Sequence, residues 1–285
     1  MSDRFFIAEP ITSDRVTLDG PEAHHLLHVM RAAAGTEIVL FDNSGAEFTA
    51  VVEDTRRGEA VVKIVERHEL NRELPCPLVV GVALPKGDRQ KWLVEKLTEL
   101  GVTALVPLVT DRGVAQPTAS AAERLTRAVI EAAKQCGRNR LMQICEPMKW
   151  QNWIESNFGF RISDCGLNNE SAIGNPQSAI DGLPNSTAGC LGSSRPSPGA
   201  GALEPPEPWR RLLAHPAGRP LAEAAGLYTT PSPTVLAIGP EGGFTDTEVA
   251  AARAAGWQQV ALGPRILRVE TAAIALASAC ALRCL

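Results

Sequence analysis

Ile238-Gly-Pro-Glu-Gly-Gly-Phe244 and Leu262-Gly-Pro-Arg-Ile-Leu-Arg-Val-Glu-Thr271 are the two stretches on which the reading of this chain turns. Each follows a short apolar run, Thr234–Ile238 and Gln259–Leu262, and a helix opening at Thr245-Asp-Thr-Glu248 stands between them. Glycine has no Cβ and tolerates positive φ, so such turns let the backbone approach a ligand closely. Two of them side by side form a floor for a flat ligand. Thr245 with Glu248 three positions on makes a capping box, which fixes where the intervening helix begins. A strand–turn–helix junction alone carries no chemistry. The second loop, with its own glycine and with Arg268 and Glu270 beside it, is what points to a ligand.

The chain has 285 residues and is 45% hydrophobic. That length predicts about two domains, with a core large enough to need no staples. No apolar run approaches the roughly 18 residues of a membrane span. The start, Met1-Ser-Asp-Arg-Phe-Phe-Ile7, has no signal-peptide core, so a cytoplasmic location is expected. The 7 cysteines are scattered without a C-x-x-C pair and read as buried thiols. His24, His25 and His28 share a helical turn, but no carboxylate or cysteine stands at ligand spacing, so no metal is expected. Net charge is −4, unevenly spread. Residues 1–73 hold 8 basic and 14 acidic side chains, and residues 74–150 hold 11 and 7. From charge alone this basic middle is either a solvated face or a phosphate-binding patch. No P-loop, G-x-S-x-G or complete G-x-G-x-x-G is present, which removes the usual marks of nucleotide hydrolysis, serine hydrolysis and NAD binding.

Residues 1–73 read as strands and turns. Glu37–Phe41, the turn Asp42-Asn-Ser-Gly45 and Glu47–Val52 form a hairpin, and Glu59–Val65 is a third strand. A helix from Pro21 to Arg31 is expected to bury Leu26, Leu27, Val29 and Met30. A boundary falls near Arg72-Glu-Leu-Pro-Cys-Pro77. Beyond it strands alternate with helices. Leu78–Leu84 and Ala104–Val109 are strands; Asp88–Leu100, with Trp92, Leu93, Leu97 and Leu100 on one side, and Ala121–Cys136 are helices. This order predicts an α/β domain with a parallel sheet. Residues 163–208, rich in Gly, Pro, Ser, Asn and Ala, read as a disordered insertion. The last helix, Thr271–Leu282, is apolar on all sides and must be buried, within one subunit or between two.

The motifs together closely resemble the RsmE family, the 16S ribosomal RNA (uracil-N3)-methyltransferases of the SPOUT superfamily. The resemblance rests on Gly239–Phe244, Leu262–Arg268 and Glu270-Thr-Ala272 near the C-terminal end. It extends to Arg4-Phe-Phe6, Ala23–Arg31 and Phe41–Gly45 in the first part, and to Lys86-Gly-Asp-Arg89, Glu95–Gly101, Thr110-Asp-Arg112 and Gly137-Arg-Asn-Arg140 in the middle. It covers nearly the whole chain except about 161–208. It implies residues 1–73 as a PUA-like RNA-binding β-barrel domain and 74–285 as a SPOUT methyltransferase domain. Such a domain carries a deep trefoil knot, an exception to the rule that chains do not thread loops. It further implies a homodimer acting on 16S rRNA of the small ribosomal subunit, with S-adenosylmethionine as methyl donor and no metal.

By the same resemblance, Ile238, Gly239, Gly242, Gly243, Leu262, Gly263, Ile266, Leu267, Thr271 and Ala272 hold the donor. Arg268 stabilises charge on the uracil or orients RNA, and Glu270 or Glu241 accepts the N3 proton. For these carboxylates a structural role, an arginine–carboxylate pair bracing the knot, stays open. Arg4, Arg31, Lys86, Arg89, Arg112, Arg138 and Arg140 sit in shared motifs and are the expected RNA contacts. Val269 departs from the family, which more often has threonine there. Two other readings remain: a SPOUT enzyme for another RNA nucleotide, and a non-catalytic RNA-binding or assembly factor. A degenerate binding protein is expected to lose Gly239, Gly243 or Gly263, and all three are present.

Overall fold

The computed structural model describes residues 3–56, 58–113, 119–156, 209–224 and 232–282. Two sheets divide them. The first joins β1 (Arg4–Phe6), β2 (Arg15–Leu18), β3 (Glu37–Phe41), β4 (Ala46–Arg56) and β5 (Glu59–Glu69) in the order β1-β3-β4-β5-β2. The Asp42–Gly45 turn sets the β3–β4 hairpin, with Glu37 opposite Val51. Alternation along β4 sends Ala46, Phe48, Ala50 and Val52 inward, where they meet Phe5, Leu18, Leu26, Ile38 and Leu40.

The expected Pro21–Arg31 helix is shorter and wider. α1 (Gly20–His24) passes into a π-helical turn, His25–Val29, and ends with Arg31 at φ +57°. A π turn rotates the side chains that follow. Ala23 and Leu26 are buried, whereas Val29 is exposed.

The second sheet is parallel throughout its pairings. It is built from β6 (Leu78–Val82), β7 (Ala104–Val109), β8 (Gln143–Ile144), β9 (Met148–Lys149), β10 (Arg210–Pro220), β11 (Thr234–Ile238) and β12 (Gln258–Ala261). The strand order is β12-β10-β11-β6-β7-β8, with β9 also against β7. Helices cover both faces, so both alternating sets of strand residues are buried. On one face Leu78, Val80, Val82, Leu236 and Ile238 pack under α2 (Arg89–Glu99), α3 (Ala119–Cys136) and α6 (Val269–Ala281). On the other, Val79, Val106, Val235 and Ala237 pack under α4 (Trp150–Glu155) and α5 (Asp246–Ala254) with Trp150, Trp153 and Trp257. A Cβ on Gly81 would lie 2.6 Å from the Trp153 ring, so this central strand position is hollowed for an indole.

Two expectations change. Trp92 is 46% exposed, because the buried stripe of α2 runs through Gln90, Leu93, Val94, Leu97 and Thr98 and leaves residue 92 on the opposite face. α6 is not buried all round: Val269, Ala273, Leu276, Ala277 and Cys280 face the core, while Ala275 and Leu282 are exposed. Cys280 is buried as expected, but Cys136 is exposed. The expected insertion at 163–208 lies outside the described residues.

Candidate active site

Parallel α/β sheets offer ligands a crevice beyond the carboxyl ends of their strands. Here a cavity of about 370 Å³ opens where β11 and β12 end, beside the middle of β10. Ile238, Gly239, Glu241, Gly242 and Gly243 form one wall; Leu262, Gly263, Ile266 and Leu267 form another; Val269 and Ala272 of α6 close the back. The capping box is present. The Thr245 hydroxyl accepts from the Glu248 amide, and Glu248 Oε2 accepts from the Thr245 amide at 2.7 Å. Glu248 Oε1 also accepts from the Asp111 amide at 2.9 Å. One buried carboxylate thus ties the start of α5 to the turn after β7.

The first glycine loop owes its shape to its neighbours. A Cβ on Gly239 would lie 2.9 Å from the Phe244 ring, which is itself packed against Trp150 at 4.3 Å between centroids. Gly243 has φ +69° and Gly263 φ +105°, angles an L side chain rarely adopts. Arg112 lies along Gly242 and donates from Nη1 to its carbonyl at 2.9 Å. Arg89, at the start of α2, donates from Nη2 to Glu241 Oε1 at 3.2 Å, and its Nη1 stands 3.5 Å from Glu270 Oε2.

A third wall, Ala214, His215, Pro216 and Ala217, has no counterpart in the sequence reading. β10 pairs with β12 up to Ala214 and resumes at Arg219, and the extra residues bulge into the cavity. His215 Nδ1 accepts from the Ala217 amide at 3.2 Å, which assigns the ring proton to Nε2. Gly218 lets the chain rejoin, since a Cβ there would lie 2.6 Å from the Val260 amide nitrogen. The available signal was the Pro-Ala-Gly interruption after Leu212-Leu213-Ala214.

The model of an RNA methyltransferase domain matches residues 72–176 and 204–281, and that of an RNA methyltransferase PUA domain matches residues 18–65. Ribosomal RNA small subunit methyltransferase E of Synechocystis is 32% identical over 273 residues, covering 95% of this chain and 75% of that protein. The Bacillus subtilis protein of the same name is 27% identical, covering 92% of this chain and 88% of its own length. This chain belongs to the ribosomal RNA small subunit methyltransferase E family. A solved family structure, from Neisseria gonorrhoeae and bound to S-adenosylmethionine, superposes with a TM-score of 0.72 at 25% identity, covering 98% and 96% of the two chains.

Against this family fold the expected site residues divide. Nine of the donor residues line the cavity, all except Thr271, which faces solvent on α6. Glu241 lines it as well, whereas Glu270 lies behind it and is only 5% exposed. Arg268 is the exposed N-cap of α6, outside the cavity lining.

The expected RNA contacts need correction at two positions. Arg4 is buried against Glu47, Asn139 and the Phe41 ring. Arg138 is buried in a fork with Glu73 at 2.6 Å, and its Nη1 donates to the carbonyls of Thr98 and Val102. Neither side chain is free for a phosphate; both join the two sheets, because each pairs across the boundary near residue 73. Lys86, Arg31, Arg112 and Arg140 remain exposed, and Arg89 is half-buried in its carboxylate pairs. Elsewhere the basic block is partly neutralised: Lys96 pairs with Glu99, and the buried Lys134 with Glu22. Among the described residues no group of three His, Cys, Asp or Glu could hold a metal.

Proposed function

We propose that the chain transfers a methyl group from S-adenosylmethionine to N3 of a uridine in 16S rRNA. The observation that carries this reading is the cavity at the ends of β11 and β12, walled by two glycine loops and the β10 bulge. Gly, Ala, Pro and Val residues supply about half of the lining, and Gly239, Gly243 and Gly263 remove Cβ atoms that would crowd or strain the loops. Main-chain groups of residues 238–243 and 262–267 hold the adenosine and methionine parts, and His215 presents its Nε2–H as a further polar contact.

The bound donor supplies an already activated methyl electrophile. The chain must then align uracil N3, assist loss of its proton and stabilise the developing uracil anion. Of the two carboxylates, Glu241, which lines the cavity, accepts that proton in this reading, and Glu270, buried and outside the lining, does not. Arg268 and the cavity-lining Arg265, both exposed and without an ion pair among the described residues, are cations available for the uracil oxygens or for orienting the RNA, and Arg268 is the one assigned that role here. Lys86, Arg31, Arg112 and Arg140 supply exposed charge for phosphates, so rRNA binding weakens with salt.

A second copy of the chain covers what α6 and its surroundings leave bare. Ile266 and Leu282 are 90% and 70% exposed beside an alanine-rich helix face that permits close approach. A trefoil knot belongs to the same proposal, and the strand order β12-β10-β11, in which β12 lies beyond β10 from β11, supports it. No described helix is long and apolar enough to cross a membrane, and a cytoplasmic enzyme on ribosomal RNA accords with that.

The test is mass spectrometry of 16S rRNA nucleosides from a strain lacking the gene. Loss of 3-methyluridine, restored by the wild-type gene, is expected; its persistence overturns the reading. Restoration by the Arg268→Ala gene should fail, and purified Arg268→Ala should lose about a hundredfold in kcat, the scale of one missing charge-stabilising donor.

A further inference from the structure

We propose that Arg89 is a positioning residue for the methyl-donor site, holding two of its walls at a fixed separation, rather than an RNA contact. This deepens the reading above and rests on it. Arg89 is the first residue of α2 and lies far in sequence from both loops. Its two terminal nitrogens go to different carboxylates: Nη2 to Glu241 at 3.2 Å, and Nη1 toward Glu270 at 3.5 Å. Glu241 belongs to the first glycine loop. Glu270 lies in the first turn of α6, between Val269 and Ala272, which close the back of the cavity. One planar cation therefore links the first glycine loop to the start of α6, both of which contribute to the lining of the cavity.

Burial sets the weight of the two contacts. The Glu241 side chain is 46% exposed and could find water instead of Arg89. Glu270 could not. Its side chain is 7% exposed, and Oε2 is buried without a hydrogen bond. A buried carboxylate is costly unless a cation balances it. Arg89 is the only cation in ion-pair range of Glu270 among the described residues. Without it, Glu270 is a buried carboxylate with no cation in range, which disfavours the present seating of the α6 start with Val269 and Ala272, while Glu241 loses the tether that holds its loop. Arginine suits the task because its rigid fork reaches two acceptors in set directions; lysine carries the charge but is a single point. A residue so engaged has little left for a phosphate, although it sits in a motif shared with RNA-handling relatives.

The experiment separates donor from RNA. Affinity for S-adenosylmethionine is measured by calorimetry for wild type, Arg89→Met, Arg89→Lys, Glu241→Gln and Arg89→Met/Glu241→Gln, and the apparent KM for rRNA is measured at saturating donor for wild type and the two single Arg89 variants. Arg89→Met should raise the donor Kd about tenfold, the size of one charge-assisted contact, while the rRNA KM changes less than about twofold. Arg89→Lys should recover part of the donor affinity. The double variant should bind donor no worse than Arg89→Met alone, because Glu241 acts through the arginine. A raised rRNA KM with unchanged donor Kd would show an RNA contact and overturn the proposal, as would fully additive losses in the double variant. If Arg89→Met does not fold, Arg89→Lys carries the same comparison of donor Kd with rRNA KM. Wild-type protein that binds no donor would instead refute the methyltransferase reading itself.

Discussion

Gly239 and Gly243 lie four positions apart in one loop, and each is required for a different reason. At Gly239 the backbone angle is unremarkable but the space is taken: a Cβ would meet the Phe244 ring at 2.9 Å, and that ring cannot retreat from Trp150. At Gly243 the space is open and the angle forbids, with φ +69°. Gly239→Ala should therefore push the loop or the ring, at a cost of about 1–3 kcal/mol typical of overpacking, and weaken donor binding by tenfold or more. Gly243→Ala should cost roughly 1 kcal/mol of backbone strain and show mainly as a lower Tm. Calorimetric donor titration beside thermal melts of both variants distinguishes the two. His215 is the residue that sequence reading missed. Its role depends on a bulge, and the bulge exists only because β12 lies alongside β10 to define a register that can be broken.

Among the elements, α5 shows how a local signal becomes a distant constraint. Thr245 and Glu248 are legible as a capping box from their spacing. The structure adds that Glu248 also accepts the Asp111 amide and that its carbonyl accepts the Trp150 indole N–H at 3.1 Å. The cap thus anchors the turn carrying Arg112, which holds the Gly242 carbonyl. Thr245→Ala should destabilise the protein by about 1 kcal/mol, the usual loss for an N-cap. Glu248→Ala should cost more, because the Asp111 amide loses its acceptor too. Equilibrium denaturation of the two variants measures the difference; equal losses would show that the Asp111 contact adds nothing. The first domain's helix teaches the reverse lesson. Its apolar spacing is legible, but the change from α to π at His25 is set by what Leu26 must meet inside the β-sheet.

At the level of the whole chain, the two sheets are joined by charge. Glu47 of β4 receives Arg4 and Arg72, Arg72 also donates to the Gly137 carbonyl at 2.8 Å, and Arg138 grips Glu73. Burial raises the Glu47 carboxyl, but hydrogen bonds and charge from Arg4 and Arg72 outweigh it and hold the carboxyl below its ordinary value. A carboxylate lowered on folding contributes stability above its unfolded pKa and loses it as pH falls through the folded one. The junction should accordingly loosen as pH drops through and below the ordinary carboxylate range. Glu22 acts in the opposite sense: burial raises it against the pull of Lys134, so protonation relieves rather than breaks it. Glu47→Gln should flatten the acid limb of Tm against pH, and an unchanged limb would show that Glu47 does not set it. Removal of the Glu73 side chain leaves Arg138 buried and unpaired, and should cost about 3 kcal/mol.

The strands near 37–41, 47–52, 59–65, 78–84 and 104–109, the helices near 88–100 and 121–136, the cap at Thr245 and the two glycine loops were written in spacing and residue type, since neighbours along the chain decide them; the short strands and the helix Trp150–Glu155 were not. The same local order carried the family resemblance, and with it the donor loops. Which arginines face water was not written there. Arg4, Arg138 and Arg140 look alike in sequence, yet two are buried by carboxylates brought from the other side of the chain and one is left exposed. Likewise Arg89 meets Glu241 and Glu270 only after the sheet has placed α2 beside α6. Charge pairing and burial are properties of segments that meet in space, and only the packed molecule specifies those meetings.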